Sequence, residues 1–199
     1  MLIRHADPEL DAAACAAIYA PAVIATVASL EERAPEPHEM AERIRIVSRH
    51  YPWLVAEADG RVVGYACAGR HRDRASYRWT ADVTVYVAPD HHRRGVGRAL
   101  YAALFELLRA QGVRNLCAGI TLPNQASVGL HEAMGFRPVG VYREIAYKLG
   151  AWRSTSWWQL SLRRPGDEAP PAEPGPPMRL PATPADQPPG PAPASPAGA

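Results

Sequence analysis

The sequence has no large excess of charge of either sign. Its 22 lysine and arginine residues are nearly balanced by 20 aspartate and glutamate residues, which leaves a formal net charge of +2. A nucleic-acid-binding domain usually presents a strongly basic face, whereas the arginines here are scattered apart from two local groups. We therefore expect no nucleic-acid partner.

Cysteines and long apolar runs are also scarce. The three cysteines, Cys15, Cys67 and Cys117, form no CxxC pair, which fits a reducing compartment and gives no pattern for a structural disulfide or a zinc site. No segment approaches the roughly 18 apolar residues of a membrane span. The opening MLIRHADPELD carries charges where a signal peptide is apolar. We expect a soluble cytoplasmic protein with no membrane partner and no bound metal.

Large apolar side chains almost disappear in the last part of the chain. From Pro165 onward the sequence is dominated by proline, alanine and glycine, contains thirteen of the 21 prolines and has Leu180 as its one large aliphatic residue. Such a segment cannot bury enough apolar surface to offset the entropy of ordering it. The composition predicts a folded domain at 1–164 and a disordered Pro/Ala-rich tail at 165–199. A functionless extension is the simpler interpretation of this tail than a docking segment.

Strand-like and helix-like segments follow one another through the domain. WLVAEADGRVVGYACAG predicts a hairpin that turns at Asp59-Gly60, and YRWTADVTVYV predicts the next strand. An amphipathic helix that stops at Gln111-Gly112, the short strand NLCAGIT, the helix PNQASVGLHEAMG and two terminal strands complete the order. At the start of the chain, Leu2 to His5 predict a short strand, and Asp7-Pro8 predicts the start of a helix that runs to about Tyr19. Because hairpins come first and strands then alternate with helices, we expect an α/β (α+β) fold with a central mixed, twisted β-sheet flanked by helices.

A basic, glycine-containing turn joins a strand to a helix in the stretch TVYVAPDHHRRGVGRALYAALFELL. The first amides of a helix have no intrahelical partner and carry partial positive charge, so they bind phosphate where side chains leave them accessible. Gly95 and Gly97 leave them accessible here. The junction therefore indicates an anion site, although turns with two glycines also occur as ordinary connections.

Several separated blocks carry a resemblance to a known family. YPWLVAEADG, YRWTADVTVYVAPDHHRRGVG, LPNQASVGLHEAMGF and GAWRSTSWWQL together resemble phosphinothricin acetyltransferases and related amino-acid N-acetyltransferases of the GCN5-related N-acetyltransferase (GNAT) superfamily. The resemblance covers nearly all of residues 2–162. It implies the GNAT acyl-CoA N-acyltransferase fold, acetyl-CoA as the co-substrate, a small amine or amino acid as the acceptor, and a homodimer.

In that superfamily the glycine turn binds the pyrophosphate of acetyl-CoA. The resemblance implies that the coenzyme is bound by Val85, Val87, His92, Arg93, Arg94, Gly95, Val96, Gly97, Arg98 and Asn124. His92 stands where the pattern usually has glutamine or arginine. Because backbone N–H groups supply most of the contact, we expect this change to weaken or retune binding without abolishing it. Asn124 is also placed to cap the helix that follows it.

Acetyl transfer to an amine needs a base, since an alkylamine is mostly ammonium at neutral pH. Asp82 stands where the resemblance implies a catalytic glutamate. It is one methylene shorter, so a bridging water is our hypothesis, and burial would have to raise the pKa of this carboxyl. The alternative is a strand-end carboxylate paired with a nearby arginine.

His131 is the second catalytic candidate. Phosphinothricin acetyltransferases have histidine here, and the wider superfamily often has a tyrosine thought to protonate the coenzyme thiolate. Because His131 shares a helical face with Val128 and Met134, the pattern alone favours a hydrogen-bonded core histidine, and only the resemblance favours catalysis. Which of Asp82 and His131 is the base stays open. The other histidines are predicted to lie on the surface, among them His50, His71 and His91.

The segment GRHRDRASYRW is expected to hold the acceptor. The resemblance implies that Arg72, Arg74 and Tyr77 bind its acidic group, and a guanidinium can donate two hydrogen bonds to such a group. A solvated arginine-rich surface is the alternative. The segment YAPAVIATVASLEER has aliphatic side chains where relatives have aromatic and hydroxyl groups. We therefore expect methionine sulfoximine, methionine sulfone or another small amino acid to suit the pocket better than phosphinothricin.

The tryptophans of the terminal strands, Trp152, Trp157 and Trp158, are predicted to be core and interface residues. The leading functional hypothesis is direct acetyl transfer in a ternary complex, without an acyl-enzyme. Two alternatives are kept. One is acetylation of another amine or of a peptide or protein amine, and the other is a non-catalytic acetyl-CoA sensor.

Overall fold

The computed structural model describes residues 1–163 and 171–180. Their strands are β1 (Leu2–His5), β2 (Trp53–Ala58), β3 (Arg61–Arg70), β4 (Thr80–Val87), β5 (Asn115–Thr121), β6 (Arg137–Lys148) and β7 (Ala151–Ser161). Their α-helices are α1 (Pro8–Ile24), α2 (Pro37–Ser48), α3 (Val96–Gln111) and α4 (Gln125–Ala133). Two short 3₁₀ turns lie on either side of β4, at Ala75–Tyr77 and Pro89–His91. No helix within these ranges combines the length and the apolar composition needed to cross a bilayer.

The seven strands form one mixed sheet in the order β1-β2-β3-β4-β5-β7-β6. β4 and β5 are parallel neighbours, and every other neighbouring pair is antiparallel. The parallel pair needs a crossover, which α3 supplies. The predicted fold, a mixed sheet flanked by helices, is confirmed.

Local signals account for most element ends. Asp7 caps α1 by accepting hydrogen bonds from the N–H groups of Glu9 and Leu10, at 2.8 and 3.2 Å. Asp59 and Gly60 adopt positive φ and turn the hairpin between β2 and β3. Gly112 ends α3 in the left-handed conformation. These three predicted boundaries are confirmed.

Two boundaries differ from the sequence-based expectation. The first helix continues five residues beyond Tyr19, to Ile24, because Val23 is buried against the second helix layer and tertiary packing offsets the proline at position 21. The third long strand begins at Thr80, since residues 75–77 form a 3₁₀ turn instead. That turn carries Tyr77, one of the expected acceptor-binding residues, and Arg74 directly precedes it.

Helices cover both faces of the sheet. On one face α3 packs against a large apolar cluster that includes Leu54 and Ala56 of β2. On the other face α1 and α2 pack against a second cluster that includes Trp53 and Val55 of the same strand. Because the side chains of β2 alternate between two buried faces, its sequence is a continuous apolar run. A β-bulge in β3 beside Ala56 shifts the side-chain phase between the two faces.

The described part of the Pro-rich segment, residues 171–180, lies against the domain. The carbonyl oxygen of Ala172 accepts a hydrogen bond from Nε1 of Trp79 at 2.8 Å. The backbone of Gly175 exchanges hydrogen bonds with Gln111. The N–H of Leu180 donates to Nε2 of His5 at 3.1 Å. The rest of the expected tail, at 164–170 and 181–199, falls outside the described residues, so the predicted domain boundary and tail disorder stay predictions.

Candidate active site

The basic turn between β4 and α3 has the geometry of an anion-binding loop. Gly95 has a φ of 81° and directly precedes Val96, the first residue of α3. Arg93 also has positive φ, at 60°. A Cβ built on Gly95 would meet no atom within 4 Å, so the space beside the helix start is open, and its φ is one that glycine adopts without strain. The first N–H groups of α3 can therefore receive an anion from this side.

His92 braces this turn through a hydrogen bond to the backbone, although its side chain is exposed. Its Nε2 donates a hydrogen bond to the carbonyl oxygen of Val87 at 2.8 Å, which ties the start of the turn to the end of β4. The imidazole thus stabilises the loop through the backbone of the preceding strand. A direct contact between His92 and the coenzyme stays a prediction.

Three guanidinium groups surround the same turn. The side chains of Arg93, Arg94 and Arg98 are exposed. In the part of the chain that the structure describes, they make no side-chain hydrogen bond or ion pair. Three exposed cations beside a helix start can pair with a diphosphate without first breaking another contact.

Gly97 marks a close approach between α3, β4 and α4. A Cβ at this position would lie 3.2 Å from Cδ2 of Leu130 and 3.8 Å from the Cγ2 atoms of Val85 and Val87. The two valines are partly buried and pack against the main core. They form an apolar wall that leads from the turn along β4, where the sequence analysis expects the pantetheine arm.

The strands β4 and β5 separate directly after Asp82. Their parallel pairing ends at Asp82 and Cys117, while β4 continues along β3 to Val87 and β5 continues along β7 to Thr121. Residues 83–87 of β4 and 118–121 of β5 therefore form no hydrogen-bonded ladder with each other. We call the opening between these two segments the β4–β5 wedge. Unpaired backbone groups on two diverging strands can bind an extended, amide-containing ligand.

Asp82 lies at the closed end of this wedge. Its side chain is 35% exposed, and its Oδ1 lies 2.7 Å from Nδ1 of His71. Burial raises the pKa of Asp82, and this effect is opposed first by the hydrogen bond and charge of His71 and then by the charge of Arg72. A raised pKa makes the carboxylate a better proton acceptor than an ordinary aspartate.

His71 is the residue that the sequence analysis missed. The prediction that it lies on the surface is wrong, because its side chain is only 15% exposed and pairs with Asp82. His91 is also mostly covered, at 17% exposure, whereas His50 is exposed as expected. The antiparallel register brings Gly69, two residues before His71, opposite Asp82. Only the strand register could have indicated this pairing.

His131 is held as a core histidine. It is 4% exposed, and its ring lies against Phe136 and Tyr101. Its Nδ1 donates to the carbonyl oxygen of Ser127 at 2.8 Å, so in the neutral ring Nε2 accepts from the hydroxyl of Tyr101, 3.1 Å away. Burial lowers the pKa of His131. This geometry favours the structural alternative, and the catalytic role of His131 stays a prediction.

Asn124 caps α4 as expected. Its Oδ1 accepts a hydrogen bond from the N–H of Ser127 at 3.1 Å, one turn into the helix. The cap also fixes the start of the helix that carries His131 and Leu130. The expected contact between Asn124 and the coenzyme stays a prediction.

The expected acceptor-binding residues divide into two groups. The guanidinium of Arg72 lies over the ring of Trp157, 5.9 Å from its centroid, and Tyr77 lies edge-on to His71 at 5.7 Å. These side chains therefore surround the Asp82 pair. Arg74 is exposed and has no contact that joins it to this cluster within the described residues.

Trp157 belongs to the site as well as to the sheet. Its ring faces His71 at a centroid distance of 6.3 Å and lies over Gly119 of β5, where a Cβ would come within 3.3 Å of the ring. Trp158, the next residue, is 7% exposed and lies in the core, whereas Trp152 is 61% exposed. The predicted core role is thus confirmed for Trp158, and Trp157 adds an aromatic wall to the acceptor side.

Cys117 lies close to the Asp82 pair. Its Sγ and ligand atoms of His71 and Asp82 all lie within 4.8 Å of one another, which is close enough to hold a metal ion. His71 and Asp82 already bond to each other, and an ion would have to replace that hydrogen bond. The absence of a metal stays a prediction. Burial and the charge of Asp82 raise the pKa of the Cys117 thiol to about 11, so it is not a ready nucleophile at neutral pH.

The loop between α1 and α2, residues 25–36, lies against β4, where the carbonyl oxygen of Ala28 accepts a hydrogen bond from the hydroxyl of Tyr86 at 3.5 Å, and it is anchored by Lys148. Lys148, at the end of β6, donates from Nζ to the carbonyl oxygens of Val23, Ser29 and Glu31 at 2.7, 2.5 and 2.8 Å. The side chain is 7% exposed. Of the four aliphatic residues expected in the pocket, Val23 is core, whereas Ile24 and Leu30 are exposed and Val27 is half-buried.

A family model described as "Acetyltransferase (GNAT) family" matches residues 22–136, the range that holds the anion turn, the wedge and Asp82. The chain belongs to this family. It is an N-acetyltransferase, in agreement with its curated relatives.

Individual relatives indicate the type of N-acetyltransferase. The chain is 41% identical over 134 residues to "Phosphinothricin N-acetyltransferase" of Streptomyces viridochromogenes, which covers 67% of this chain and 73% of that protein. It is 35% identical over 165 residues to "L-methionine sulfoximine/L-methionine sulfone acetyltransferase" of Salmonella typhimurium, which covers 81% and 95% respectively. A phosphinothricin acetyltransferase from Sinorhizobium meliloti, solved in complex with acetyl-CoA, superposes with a TM-score of 0.81 at 33% identity, covering 86% of this chain and 93% of that one. The predicted family, fold and enzyme class are confirmed.

Proposed function

We propose that this protein transfers the acetyl group of acetyl-CoA directly to the amine of a small amino acid that carries a second polar or acidic group. Phosphinothricin, methionine sulfoximine and methionine sulfone are the acceptors of this kind that the names of its relatives suggest. One observation carries the proposal. The β4–β5 wedge leads from an anion-binding turn to a carboxylate that is flanked by an arginine and two aromatic rings.

The donor fits the residues present. The open space at Gly95 and the N–H groups of α3 receive the diphosphate, with the guanidinium groups of Arg93, Arg94 and Arg98 around it. The wall formed by Val85 and Val87 then receives the apolar part of the pantetheine arm, while wedge backbone groups pair with its amides. The thioester would then lie near the closed end of the wedge.

The acceptor is oriented by charge. Arg72 is close to the Asp82 pair and presents a guanidinium beside Trp157. A carboxylate, phosphinate or sulfoximine oxygen on the acceptor can accept hydrogen bonds from this fork. Tyr77 adds a hydroxyl and a ring edge on the same side. The acceptor amine is thereby brought toward Asp82, which we propose acts in removing its proton.

Direct transfer is supported by the state of the nearest thiol. An acyl-enzyme would need a thiolate, and the pKa of Cys117 is raised to about 11. The neutral amine therefore attacks the thioester carbonyl itself, in a ternary complex. His131 keeps α4 in place through its two hydrogen bonds. The variant His131→Asn tests whether His131 also protonates the thiolate.

We also propose that the protein is a cytoplasmic homodimer. β6 is an edge strand of the sheet, and exposed apolar side chains cluster on it and on the start of β7. This hairpin face consists of Val139, Val141, Tyr142, Ile145, Tyr147, Leu149 and Trp152. A patch of this kind on an edge strand is typical of a protein interface. The three free cysteines are compatible with a reducing compartment. Light scattering tests the dimer through the molar mass in solution. The wild type is expected to be a dimer and the variant Trp152→Glu a monomer.

An acceptor panel tests the proposed activity. The purified protein is incubated with acetyl-CoA and each of phosphinothricin, methionine sulfoximine, methionine sulfone, methionine and a peptide with a free amino terminus, and thiol release is measured. We expect the highest kcat/KM with one of the first three. Arg72→Ala should raise the acceptor KM about 10- to 100-fold, since a charge-assisted hydrogen bond contributes about 1.5–3 kcal/mol. Arg49→Ala, an exposed cation outside the site, is the control.

Two results would contradict the proposal. Fastest turnover with the peptide would indicate a protein or peptide amine as the acceptor. Binding of acetyl-CoA without turnover on any member of the panel would favour a sensor. In either case the wedge and the anion turn would keep their role as the coenzyme site, because that assignment is tested separately by the affinity for acetyl-CoA.

A further inference from the structure

His71 connects the parts of the site that handle protons with those that hold the acceptor. Its Nδ1 lies 2.7 Å from Oδ1 of Asp82. Its ring makes T-shaped contacts with the rings of Tyr77 and Trp157, at centroid distances of 5.7 and 6.3 Å, and Arg72 is its neighbour in the chain. The acceptor proposed above would therefore lie beside both the imidazole and the carboxylate.

We propose that His71, oriented by Asp82, is the base that takes the proton from the acceptor ammonium, so that the two side chains act as one catalytic pair. This inference rests on the acetyl-transfer function proposed above. When Nδ1 donates to Asp82, the lone pair of the neutral ring is on Nε2. Within residues 1–163 and 171–180, Nε2 has no hydrogen-bond partner. The carboxylate stabilises the imidazolium as it forms, as an orienting acid does in hydrolase triads.

The His71–Asp82 pair supplies a base that can act at neutral pH, which Asp82 alone does not. An aspartate is a weak base at neutral pH, and His71 and Arg72 oppose part of the rise that burial gives to the pKa of Asp82. The carboxylate oxygen that faces His71 is also already hydrogen-bonded. An imidazole changes its protonation state in the physiological range, which is where a general base is most effective. His131 offers no such lone pair, since both of its ring nitrogens are bonded.

The charges around His71 are few. The charged side chains next to it are those of Asp82 from β4 and Arg72 from the β3–β4 connection. Three further titratable groups stand nearby without formal charge at neutral pH: Tyr77 beside the ring, Cys117 of β5, whose pKa is about 11, and Tyr51 before β2, whose pKa is raised by burial.

The proton and electron count closes without a further reactant. The acceptor ammonium carries three protons, and the first passes to Nε2 of His71 and from there to solvent. The lone pair that this frees forms the C–N bond to the thioester carbonyl carbon. As the C–S bond breaks, its electron pair stays on sulfur, which takes the second proton and leaves as the free thiol. The third proton remains on the amide nitrogen.

Two variants of His71 separate a base from a merely positioning residue. In His71→Asn the side-chain amide can still donate to Asp82, but it cannot accept a proton. We expect kcat at pH 7 to fall about 10²- to 10⁴-fold, the usual contribution of general-base catalysis, with the KM for acetyl-CoA unchanged. The deficit should shrink as the pH approaches the pKa of the acceptor amine, where neutral amine is already present. In His71→Ala, added imidazole should restore about tenfold or more of the lost kcat.

The controls and contrary outcomes are distinct. His38→Asn, an exposed histidine on α2, should behave as wild type, and thermal unfolding should confirm that each variant folds. All assays contain a chelator, so that no ion bridging His71, Asp82 and Cys117 contributes. If the wild-type enzyme turns over and His71→Asn stays within about threefold of it, or if the deficit is the same at every pH, the catalytic pair is refuted while the proposed function stands. A wild type that acetylates no acceptor refutes the proposed function itself, before any variant is made.

Discussion

Replacing Lys148 with methionine is expected to release the α1–α2 loop, residues 25–36, from the end of β6. Lys148 is the single lysine of the chain. Its ammonium donates to three carbonyl oxygens, those of Val23, Ser29 and Glu31, and it is 7% exposed. An ammonium group has three donors that point in different directions, whereas a guanidinium donates in one plane. The chemistry therefore explains why this position is not arginine in a chain otherwise rich in that residue.

The loss of stability expected for Lys148→Met follows from two opposing effects. Each hydrogen bond to a charged group contributes about 1.5–3 kcal/mol, so three of them contribute roughly 5–9 kcal/mol. Removing the ammonium from water costs several kcal/mol, and methionine avoids that cost. We expect a net loss of about 2–4 kcal/mol in the free energy of unfolding for Lys148→Met, after both effects. For a domain of this size that corresponds to a fall in Tm of roughly 5–15 °C.

Three measurements check this expectation. Thermal unfolding gives the change in Tm, with Arg49→Met as the control for loss of an exposed cation. Lys148→Arg keeps the charge and should still lose at least about half as much stability as Lys148→Met, because a planar guanidinium group cannot donate to all three carbonyl oxygens. In the wild type, an amine-reactive reagent should modify Lys148 far more slowly in the native state than after unfolding, as peptide mass spectrometry would show.

The resemblance implies that this loop borders the acceptor pocket, so we expect its release to raise the acceptor KM more than the acetyl-CoA KM. A Lys148→Met enzyme with an unchanged Tm and an unchanged acceptor KM would refute the reasoning. Rapid labelling of Lys148 in the native wild type would refute it independently, since it would show that the ammonium is not held by the three carbonyls.

Three further outcomes are expected. Gly97→Val should raise the Kd for acetyl-CoA at least about tenfold, because even a Cβ there meets Leu130 at 3.2 Å; tight binding by this variant, measured by calorimetry, would contradict the site. His92→Ala should raise the same Kd only about two- to tenfold, since it removes one hydrogen bond that braces the turn, and a complete loss would mean that His92 contacts the ligand. Burial lowers the pKa of His5, helped by Arg179, so the hydrogen bond from the N–H of Leu180 to His5 is present above the unfolded pKa and lost as pH falls through the lower folded pKa. The protection factor of the Leu180 N–H, taken against its intrinsic exchange rate at each pH, should therefore fall on acidification, and His5→Phe should remove that dependence.

Part of the site could be predicted from the sequence because its signals are local. Gly95, Gly97 and the basic residues before them lie within one turn, and the φ of Gly95 and the start of α3 follow from that short stretch. The cap formed by Asn124 is equally local, since its bond spans three residues. Asp82 could be singled out through the family resemblance, which implies a catalytic carboxylate at this position.

The partners of these residues could not be predicted in the same way. His71 looks like one polar residue in an arginine-rich loop until the register of β3 and β4 brings it beside Asp82. The contacts of Lys148 join residues more than a hundred positions apart. His131 shows the opposite case, because the helix pattern indicates a core residue and the packing against Phe136 agrees with it.

The sequence by itself determined the order of strands and helices, the turns between them and the open, basic start of α3, because these depend on backbone preferences and side chains within a few residues. The tertiary structure alone decided where β4 parts from β5, which histidine pairs with Asp82 and what holds the α1–α2 loop. Those features depend on strand order and on burial. A charge acquires a partner or a shifted pKa only when distant segments exclude water around it.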